Sequence, residues 1–288
     1  MPKTYLITGA SSGLGAALAH SALQAGHTVL ATARNPTQAS LTHPSLTTHP
    51  HLTWLPLDIT SPDTTATLSA ALAAHPPVDV LVNNAGYSLL GSIEAMTLAE
   101  VGAQFDTNVF GAIRVLQAVL PAMRARRAGT VVNVSSSAGV DGLPACAVYA
   151  GSKFALEGMS ESLAKELAPL GIRVLLVEPG TLRTGFWAAF VEPAAGLDPG
   201  YAGTPVEAVL TKFRGNKTAQ TAAGSDPVKA AQRIVEVVDG TGLGAGKDGL
   251  LRVPLGEDCY RRFQAKIEGL QQNLEQMREI AHSIGFEE

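Results

Sequence analysis

Thr8-Gly9-Ala10-Ser11-Ser12-Gly13-Leu14-Gly15 is the stretch that decides the fold class, because it joins the apolar run 5–8 to the Ala-rich run 16–25. Its three glycines permit a tight backbone turn and let a phosphate approach the first amides of the following helix. Those amides and the helix dipole favour an anion. Glycines also occur in ordinary tight turns, but this turn lies between a strand and a helix at the start of an alternating pattern. We predict that it binds the pyrophosphate of a dinucleotide.

Beyond this turn, short apolar runs alternate with longer helical stretches, as is typical of a parallel sheet flanked by helices. Most of the runs are unbroken, which indicates strands that are covered on both faces. Strands are predicted at 5–8, 28–33, 52–57, 78–82, 130–135, 172–178 and 250–253, and helices at 13–25, 62–74, 97–127, 149–169 and from Asp226-Pro227 onward. The predicted fold is α/β and Rossmann-type, with a doubly wound, mainly parallel sheet of about seven strands and helices on both faces.

The composition excludes several classes of protein. The 288 residues are 46% hydrophobic and 16% charged, which supplies enough apolar material for a large core. The net charge of −4 gives no basic field for nucleic acid or anionic lipid. No run approaches the roughly 18 apolar residues of a membrane-spanning helix, and the first apolar run leaves no room for a signal peptide. We therefore expect a cytoplasmic protein with no nucleic-acid or membrane partner.

The residues that could bind a metal do not form a recognisable site. The two cysteines, Cys146 and Cys259, are too few for a disulfide framework and lack metal-ligand spacing. The polar, Pro-containing connection 35–51 carries three histidines without a carboxylate or a cysteine, and we expect it to be mobile. These histidines are His43, His49 and His51. We predict no metal.

One domain spanning residues 1–288 is expected, with a substrate loop or lid over about 181–227, where the chain is irregular and rich in Gly, Pro and Thr. A helical extension is expected over about 257–283, because apolar residues recur there every three or four positions. We expect this stripe to dock on its own domain; covering the substrate cleft or a partner subunit are the alternatives. The stripe consists of Tyr260, Phe263, Ile267, Leu270, Leu274, Met277 and Ile280.

The end of the second strand indicates which dinucleotide binds. In NAD enzymes an acidic residue near this position accepts hydrogen bonds from the ribose 2′-hydroxyl. Here Ala33 is followed by Arg34, whose guanidinium can hold a 2′-phosphate that a carboxylate would repel. A solvated surface arginine is the alternative. We predict a preference for NADP(H), with Ser12 as a second phosphate contact.

Tyr149 and Lys153 are four residues apart at the start of a predicted helix, so their side chains share one face. A phenol has a pKa near 10, and a nearby ammonium favours the phenolate and lowers that pKa. Tyr149 could then exchange a proton with a carbonyl or alcohol oxygen. Upstream, the strand at 130–135 ends in three hydroxyls, Ser135, Ser136 and Ser137, one of which could hold the substrate oxygen.

Taken together, these motifs resemble the short-chain dehydrogenase/reductase family, in its NADP(H)-preferring, single-domain subgroup. The resemblance covers about residues 3–255. The motifs that carry it are TGASSGLG at 8–15, Asp58 in LDIT, NNAG at 83–86, Asn108, NVSSSAG at 133–139, YAGSK at 149–153 and EPGTLRT at 178–184.

The resemblance implies a role for each matched position. Tyr149 is the expected acid/base, and Lys153 lowers its pKa and holds the nicotinamide ribose. Ser136, thirteen residues before the tyrosine, orients the substrate, which makes Ser135 and Ser137 less favoured. The expected catalytic residues are Asn108, which anchors a water beside the lysine, and Ser136, Tyr149 and Lys153.

The resemblance also implies which residues bind the cofactor. Asp58 bonds the adenine amino group, residues 84–86 line the ribose, and residues 179, 180 and 184 hold the carboxamide. An ordinary structural turn at residues 83 and 84 is compatible with this. The expected set is Gly9, Ser11, Ser12, Gly13, Leu14, Gly15, Arg34, Asp58, Ile59, Asn84, Ala85, Gly86, Asn108, Tyr149, Lys153, Pro179, Gly180 and Thr184.

Two regions depart from the commonest family pattern: the long region after Thr184 and the roughly 30 residues that follow the last strand. The resemblance implies that these regions form the substrate pocket. The aromatic residues in the first of them either build an apolar pocket wall or form the core of a folded lid. They are Phe186, Trp187, Phe190 and Tyr201. Cys146 is expected to face the substrate side.

The predicted function is reduction of a ketone or aldehyde by NADPH, reversible in principle, on an apolar small-molecule carbonyl or alcohol substrate. A non-catalytic NADP(H)-binding sensor on the same fold is one alternative. A nucleotide-sugar epimerase or dehydratase, which shares the Tyr/Lys pair, is another. The resemblance further implies a homo-oligomer paired through the helices at 97–127 and 149–169.

Overall fold

The computed structural model of the chain describes residues 1–218 and 224–286, and its centre is one seven-stranded sheet. All its strands are parallel, in the order β3-β2-β1-β4-β5-β6-β7. The strands are β1 (Thr4–Ile7), β2 (Thr28–Ala33), β3 (Leu52–Pro56), β4 (Val80–Asn83), β5 (Gly129–Val134), β6 (Ile172–Pro179) and β7 (Arg252–Leu255). The predicted α/β, Rossmann-type fold is confirmed.

Helices connect the strands and cover both faces of the sheet. They are α1 (Gly13–Gln24), α2 (Pro36–Thr42), α3 (Pro44–Thr47), α4 (Thr64–Leu72), α5 (Leu98–Phe105), α6 (Gly111–Arg126), α7 (Ala147–Leu167), α8 (Pro205–Thr218), α9 (Pro227–Asp239), α10 (Glu257–Gln276) and α11 (Arg278–His282). None of the described helices is long and apolar enough to cross a membrane.

The strand residues divide between two apolar layers. Successive side chains of a strand point to opposite faces, so Ile7 packs with α1 and α9 whereas Leu6 packs with α6. Both are fully buried. This two-sided burial is why the strands read as unbroken apolar runs.

The predicted helix 97–127 is wrong in one respect, because a π-helical turn at Asp106–Phe110 separates α5 from α6. In this turn the side-chain amide of Asn108 donates a 3.1 Å hydrogen bond to the Tyr87 carbonyl and accepts a 3.2 Å bond from the Tyr87 backbone amide. Such turns inside helices are frequent at functional sites.

The connection 35–51, expected to be loose, instead forms the two short helices α2 and α3. Each has a proline in its first turn, and Asn35 caps α2 by accepting a 3.0 Å hydrogen bond from the Gln38 amide. The ring of His43 forms a 2.9 Å hydrogen bond with the Ser11 carbonyl. The connection is therefore tied to the glycine-rich turn.

The expected irregular region 181–227 contains the helix α8 and a short 3₁₀ turn at Pro199–Tyr201. Residues 219–223 of this region lie outside the described residues. The described part of the region packs Phe190, Leu210 and Phe213 against buried residues of the domain, among them Cys146 and Tyr149. Phe190 is thus a buried core residue.

The expected docking of the C-terminal stripe on its own domain is wrong. The helix is attached through its first turns, where the buried Cys259 thiol donates a 3.0 Å hydrogen bond to the Glu178 carbonyl. Further along, Arg262 and Lys266 still contact the domain, but most members of the stripe face solvent. The exposed members are Tyr260, Ile267, Leu270, Leu274, Met277 and Ile280.

Candidate active site

A cavity of about 840 Å³ opens at the carboxyl ends of the strands, where the chain order reverses between β1 and β4. Ligands of open α/β sheets bind at this kind of switch point. The predicted site residues that line it are Gly9, Ser11, Ser12, Gly13, Leu14, Arg34, Asp58, Ile59, Asn84, Ala85, Gly86, Ser136, Tyr149, Lys153, Pro179, Gly180 and Thr184. Gly15 and Asn108 do not line it.

The glycine-rich turn has the backbone that an anion requires. Gly9 and Gly13 have positive φ angles of 64° and 53°, which favour glycine. Ser12 precedes α1 without its side chain capping the helix, and no acidic residue occupies the first turn. The first amides of α1 are thus not screened by a carboxylate, and the turn fits a bound phosphate.

Gly15 has a packing role behind the turn. A Cβ atom there would lie 2.4 Å from the Gly9 carbonyl oxygen and 2.5 Å from the side-chain nitrogen of Asn84. Only a glycine lets α1 pack this closely against the turn. The residue therefore shapes the site from outside the cavity.

The loops after β1 and β4 are joined by hydrogen bonds. The Asn84 side chain donates to the carbonyls of Thr8 and Gly9 at 2.9 and 3.2 Å. The Thr8 hydroxyl accepts bonds from the amides of Asn84 and Ala85 at 3.0 and 3.1 Å. These bonds fix the two walls of the cleft relative to each other. The role of Thr8 has no local signal in the sequence, because it depends on contacts with the loop after β4.

Arg34 and Asp58 lie at the outer end of the cavity, and both are exposed. Hydrogen bonds from the Thr60 hydroxyl and amide, at 2.7 and 3.0 Å, hold the pKa of Asp58 below its usual range, and the nearby charge of Arg34 acts in the same direction. Arg34, at the end of β2, thus lies near the Asp58 carboxylate, which stays ionised. This end fits the adenosine part of a dinucleotide phosphate.

Ser136, Tyr149 and Lys153 meet at the inner end of the cavity. All three are buried, and Tyr149 and Lys153 lie in the first two turns of α7. The Lys153 ammonium donates a 2.9 Å hydrogen bond to the Val134 carbonyl and lies 6.0 Å from the centre of the Tyr149 ring. The residues predicted to act together are therefore brought together.

The electrostatics of this group differ from expectation. Burial raises the pKa of Tyr149 to about 12, and a hydrogen bond with Ser136 lowers it only in part. Burial also lowers the pKa of Lys153 to about 8, against an opposite effect of the Glu157 charge. Desolvation disfavours the charged form of each group, and the expectation that the pKa of Tyr149 is lowered is wrong.

Asn108 lies behind the cavity wall. Its side chain donates to the Tyr87 carbonyl and, at 3.0 Å, to the Ser152 hydroxyl. A Cβ atom on Gly86 would be 3.0 Å from the Asn108 side-chain oxygen and 3.7 Å from the Lys153 nitrogen. The side chains of Asn108 and Lys153 therefore both lie next to Gly86.

The loop after β6 is held by the root of α10. The Thr181 amide donates a 2.7 Å hydrogen bond to the Asp258 carboxylate, and the Gly180 amide bonds the Leu255 carbonyl at 2.8 Å. Thr184 faces the glycine-rich turn, since its side chain would lie 3.5 Å from a Cβ on Gly13. Asp258 was missed by sequence reasoning, because nothing local marks a contact 77 residues away in the chain.

The four aromatic residues divide between the two expected roles. Phe186 and Trp187 line the cavity, with ring centres 6.1 and 6.0 Å from that of Tyr149. Phe190 is buried in the lid core, and Tyr201 does not line the cavity. Phe213 of α8, unmarked in the sequence analysis, stacks on Trp187 at 4.6 Å. The cavity wall beside Tyr149 is therefore apolar and backed by the lid.

Comparison with known proteins gives one consistent result. The family model described as short chain dehydrogenase matches residues 3–194. Oxidoreductase claN of Passalora fulva is 46% identical over 216 residues, which cover 75% of this chain and 97% of that protein. Retinol dehydrogenase 8 of Homo sapiens is 37% identical over 253 residues, with coverages of 83% and 79%. The crystal structure of a short-chain dehydrogenase from Streptomyces avermitilis has a TM-score of 0.86 at 33% identity and covers 99% of each chain.

Proposed function

The chain belongs to the short-chain dehydrogenase family, and we propose that it is an NADP(H)-dependent oxidoreductase that interconverts a carbonyl group and an alcohol. The observation that carries the proposal is the convergence of the Ser136 and Tyr149 side chains with Lys153 in one cavity with the glycine-rich turn. Bound nicotinamide would supply or accept the hydride at carbon.

The proton chemistry falls to the side chains of this chain. In reduction, Tyr149 gives its phenolic proton to the substrate oxygen as that oxygen gains charge. Ser136 holds the same oxygen with its hydroxyl. Lys153 stabilises the phenolate that remains, because an ammonium nearby favours the charged form. The pKa of Tyr149 near 12 keeps its proton in place at neutral pH, so the proton that reduction requires is available.

The cofactor preference rests on Arg34. A planar guanidinium at the end of β2 holds a 2′-phosphate with charge-assisted hydrogen bonds, whereas the carboxylate common to NAD enzymes is missing at this strand end. The amides at the start of α1 hold the pyrophosphate.

The substrate class rests on Phe186 and Trp187. They give the cavity an apolar wall, with ring centres 6.1 and 6.0 Å from that of Tyr149. Such a wall fits an aromatic or alicyclic group next to the reacting carbon. The similar retinol dehydrogenase 8 is named for retinol, which is an apolar alcohol. Cytoplasmic location stays a prediction.

The proposal is tested by following the oxidation of NADPH and of NADH, in parallel, against a panel of aromatic, alicyclic and short aliphatic ketones and aldehydes. We expect turnover with NADPH on the bulky apolar carbonyls and at least tenfold less with NADH. No oxidation of NADPH or NADH by any carbonyl, together with no reduction of NADP+ or NAD+ by the matching alcohols, would contradict the reaction class. A tenfold preference for NADH would contradict the role of Arg34 alone.

A further inference from the structure

The apolar stripe of α10 is a row of large side chains left open to solvent. Tyr260, Ile267, Leu270 and Leu274 are exposed by 56%, 50%, 55% and 74%, and Phe263 between them is half-buried. Single exposed apolar residues are ordinary on a protein surface. A contiguous row along 20 residues of helix is not, and marks a surface that another body covers.

The spacing of the stripe indicates what kind of body that is. The positions 260, 263, 267, 270, 274 and 277 alternate steps of three and four, which is the a and d pattern of a heptad repeat. A helix that docks on a globular core carries a wider stripe, with further apolar residues beside the seam. Here the flanking positions are Gln264, Lys266, Gln271 and Asn273. Such a narrow seam fits a second helix of the same geometry.

The charges on α10 favour a second copy over a lipid surface. The helix carries Arg261, Arg262 and Lys266 against four carboxylates, so its polar face is not basic, whereas helices that lie on membranes are rich in Lys and Arg. Three of the four flanking side chains are neutral amides. Two copies of the seam therefore meet without rows of like charge, and the amides can bond one another across it.

The helix is held in place before any partner arrives. Near its start, Arg262 bonds the Asp141 carboxylate at 3.0 Å and the Ser137 hydroxyl at 2.8 Å. A seam fixed at its root loses little freedom on pairing. Six half-exposed large side chains and their neighbours remove on the order of 500 Å² per chain, which approaches the ~800 Å² per partner of a stable interface. We propose that α10 pairs with α10 of a second copy of this chain as a short coiled coil.

The first test measures self-association of the full chain by sedimentation equilibrium. Leu270→Glu combined with Leu274→Glu places charge in the seam, and we expect association about tenfold or more weaker than in the wild type. Gln272→Glu adds charge on the outer face of the same helix, and this control should associate as the wild type does. Because all three positions are exposed, circular dichroism should show the fold unchanged.

A second test locates the contact. Leu270→Cys treated with a short bis-maleimide should give a covalent dimer, while Leu41→Cys, 72% exposed on α2, should not. The native cysteines are buried, so they do not compete. A monomeric wild type, or equal association of the seam variant and the wild type, would overturn the proposal. Wild-type binding to phosphatidylcholine/phosphatidylserine vesicles that the seam variant loses, with association unchanged, would assign the stripe to a membrane surface instead.

Discussion

The Lys153 ammonium lies 6.0 Å from the centre of the Tyr149 ring and is turned to the Val134 carbonyl, to which it donates a 2.9 Å hydrogen bond. Both side chains are buried, and burial favours the neutral form of each group. It raises the pKa of the tyrosine to about 12 and lowers the pKa of the lysine to about 8. At neutral pH Tyr149 is therefore a neutral phenol and Lys153 is largely charged. That is the protonation state from which the pair can donate a proton to a substrate oxygen.

Removing the phenolic hydroxyl should remove the chemistry and leave binding intact. We expect Tyr149→Phe to lower kcat by at least about 100-fold, because general acid catalysis contributes about 10²–10⁴-fold. NADPH binding, followed by fluorescence titration, should change little. Tyr201→Phe is the matched control, since its ring does not line the cavity, and it should keep wild-type kcat. Wild-type turnover by the Tyr149 variant would sink the proposed role.

The pH dependence of reduction should follow Lys153. As its pKa lies near 8, the ammonium is lost as pH rises through that value, and kcat/KM for reduction should fall above about pH 8. Lys153→Arg keeps its charge throughout this range, so its activity, although lower, should show no such fall. A wild-type profile that stays flat up to pH 10 would show that the ammonium is not required.

The fold and the chemistry-bearing motifs could be predicted from the sequence because each is local. The unbroken apolar runs place the strands to within two residues at each end, and the Gly9–Gly15 turn and the Tyr149/Lys153 spacing need only neighbouring residues to be recognised. The π-helical turn at Asn108 could not be predicted, because it depends on hydrogen bonds to Tyr87, twenty-one positions away.

The prediction that the C-terminal stripe docks on its own domain is wrong for a different reason. Its periodicity correctly predicts a helix, but period alone does not say whether the apolar face meets the same chain or another. The pKa of Tyr149 could not be predicted for a similar reason. The sequence shows that an ammonium lies near Tyr149, but the burial that dominates its pKa comes from the assembled core and lid.

Arg34 should determine the choice between the two nicotinamide cofactors. Losing charge-assisted bonds to a 2′-phosphate is expected to raise the KM for NADPH by about 10- to 100-fold in Arg34→Ala, with little change for NADH. Arg124→Ala, an exposed arginine of α6 that does not line the cavity, serves as control. Equal loss with both cofactors would mean that Arg34 acts on the fold and not on the phosphate.

Gly15 should tolerate no side chain, although it lies outside the cavity. In Gly15→Ala the new Cβ would meet the Gly9 carbonyl oxygen at 2.4 Å, so we expect about 1–3 kcal/mol lower free energy of unfolding and weaker cofactor binding. Gly158→Ala, in α7, meets nothing within 4 Å and should stabilise the chain by up to about 1 kcal/mol. Denaturant unfolding measures both. Equal stability of the Gly15 variant and the wild type would mean that the turn relaxes freely.

The buried carboxylates Glu157 and Glu178 should make stability fall as pH rises. Both bond Arg252, and burial, with the Glu157 charge next in importance, raises the pKa of Glu178 to about 8. Between about pH 4.5 and 8 the folded chain thus holds a proton that the unfolded chain releases, so the free energy of unfolding should decrease across that window.

Glu178→Gln should remove most of this decrease in the free energy of unfolding, because the amide is neutral at every pH. Glu161→Gln is the matched control: it removes another carboxylate bonded to Arg252, but one that is 50% exposed, and the slope should remain. Thermal melts at half-unit steps of pH measure all three chains. Identical slopes for the Glu178 variant and the wild type would show that the buried pair is ionised throughout, with Arg252 and Glu178 then held as a plain ion pair 2.6 Å apart.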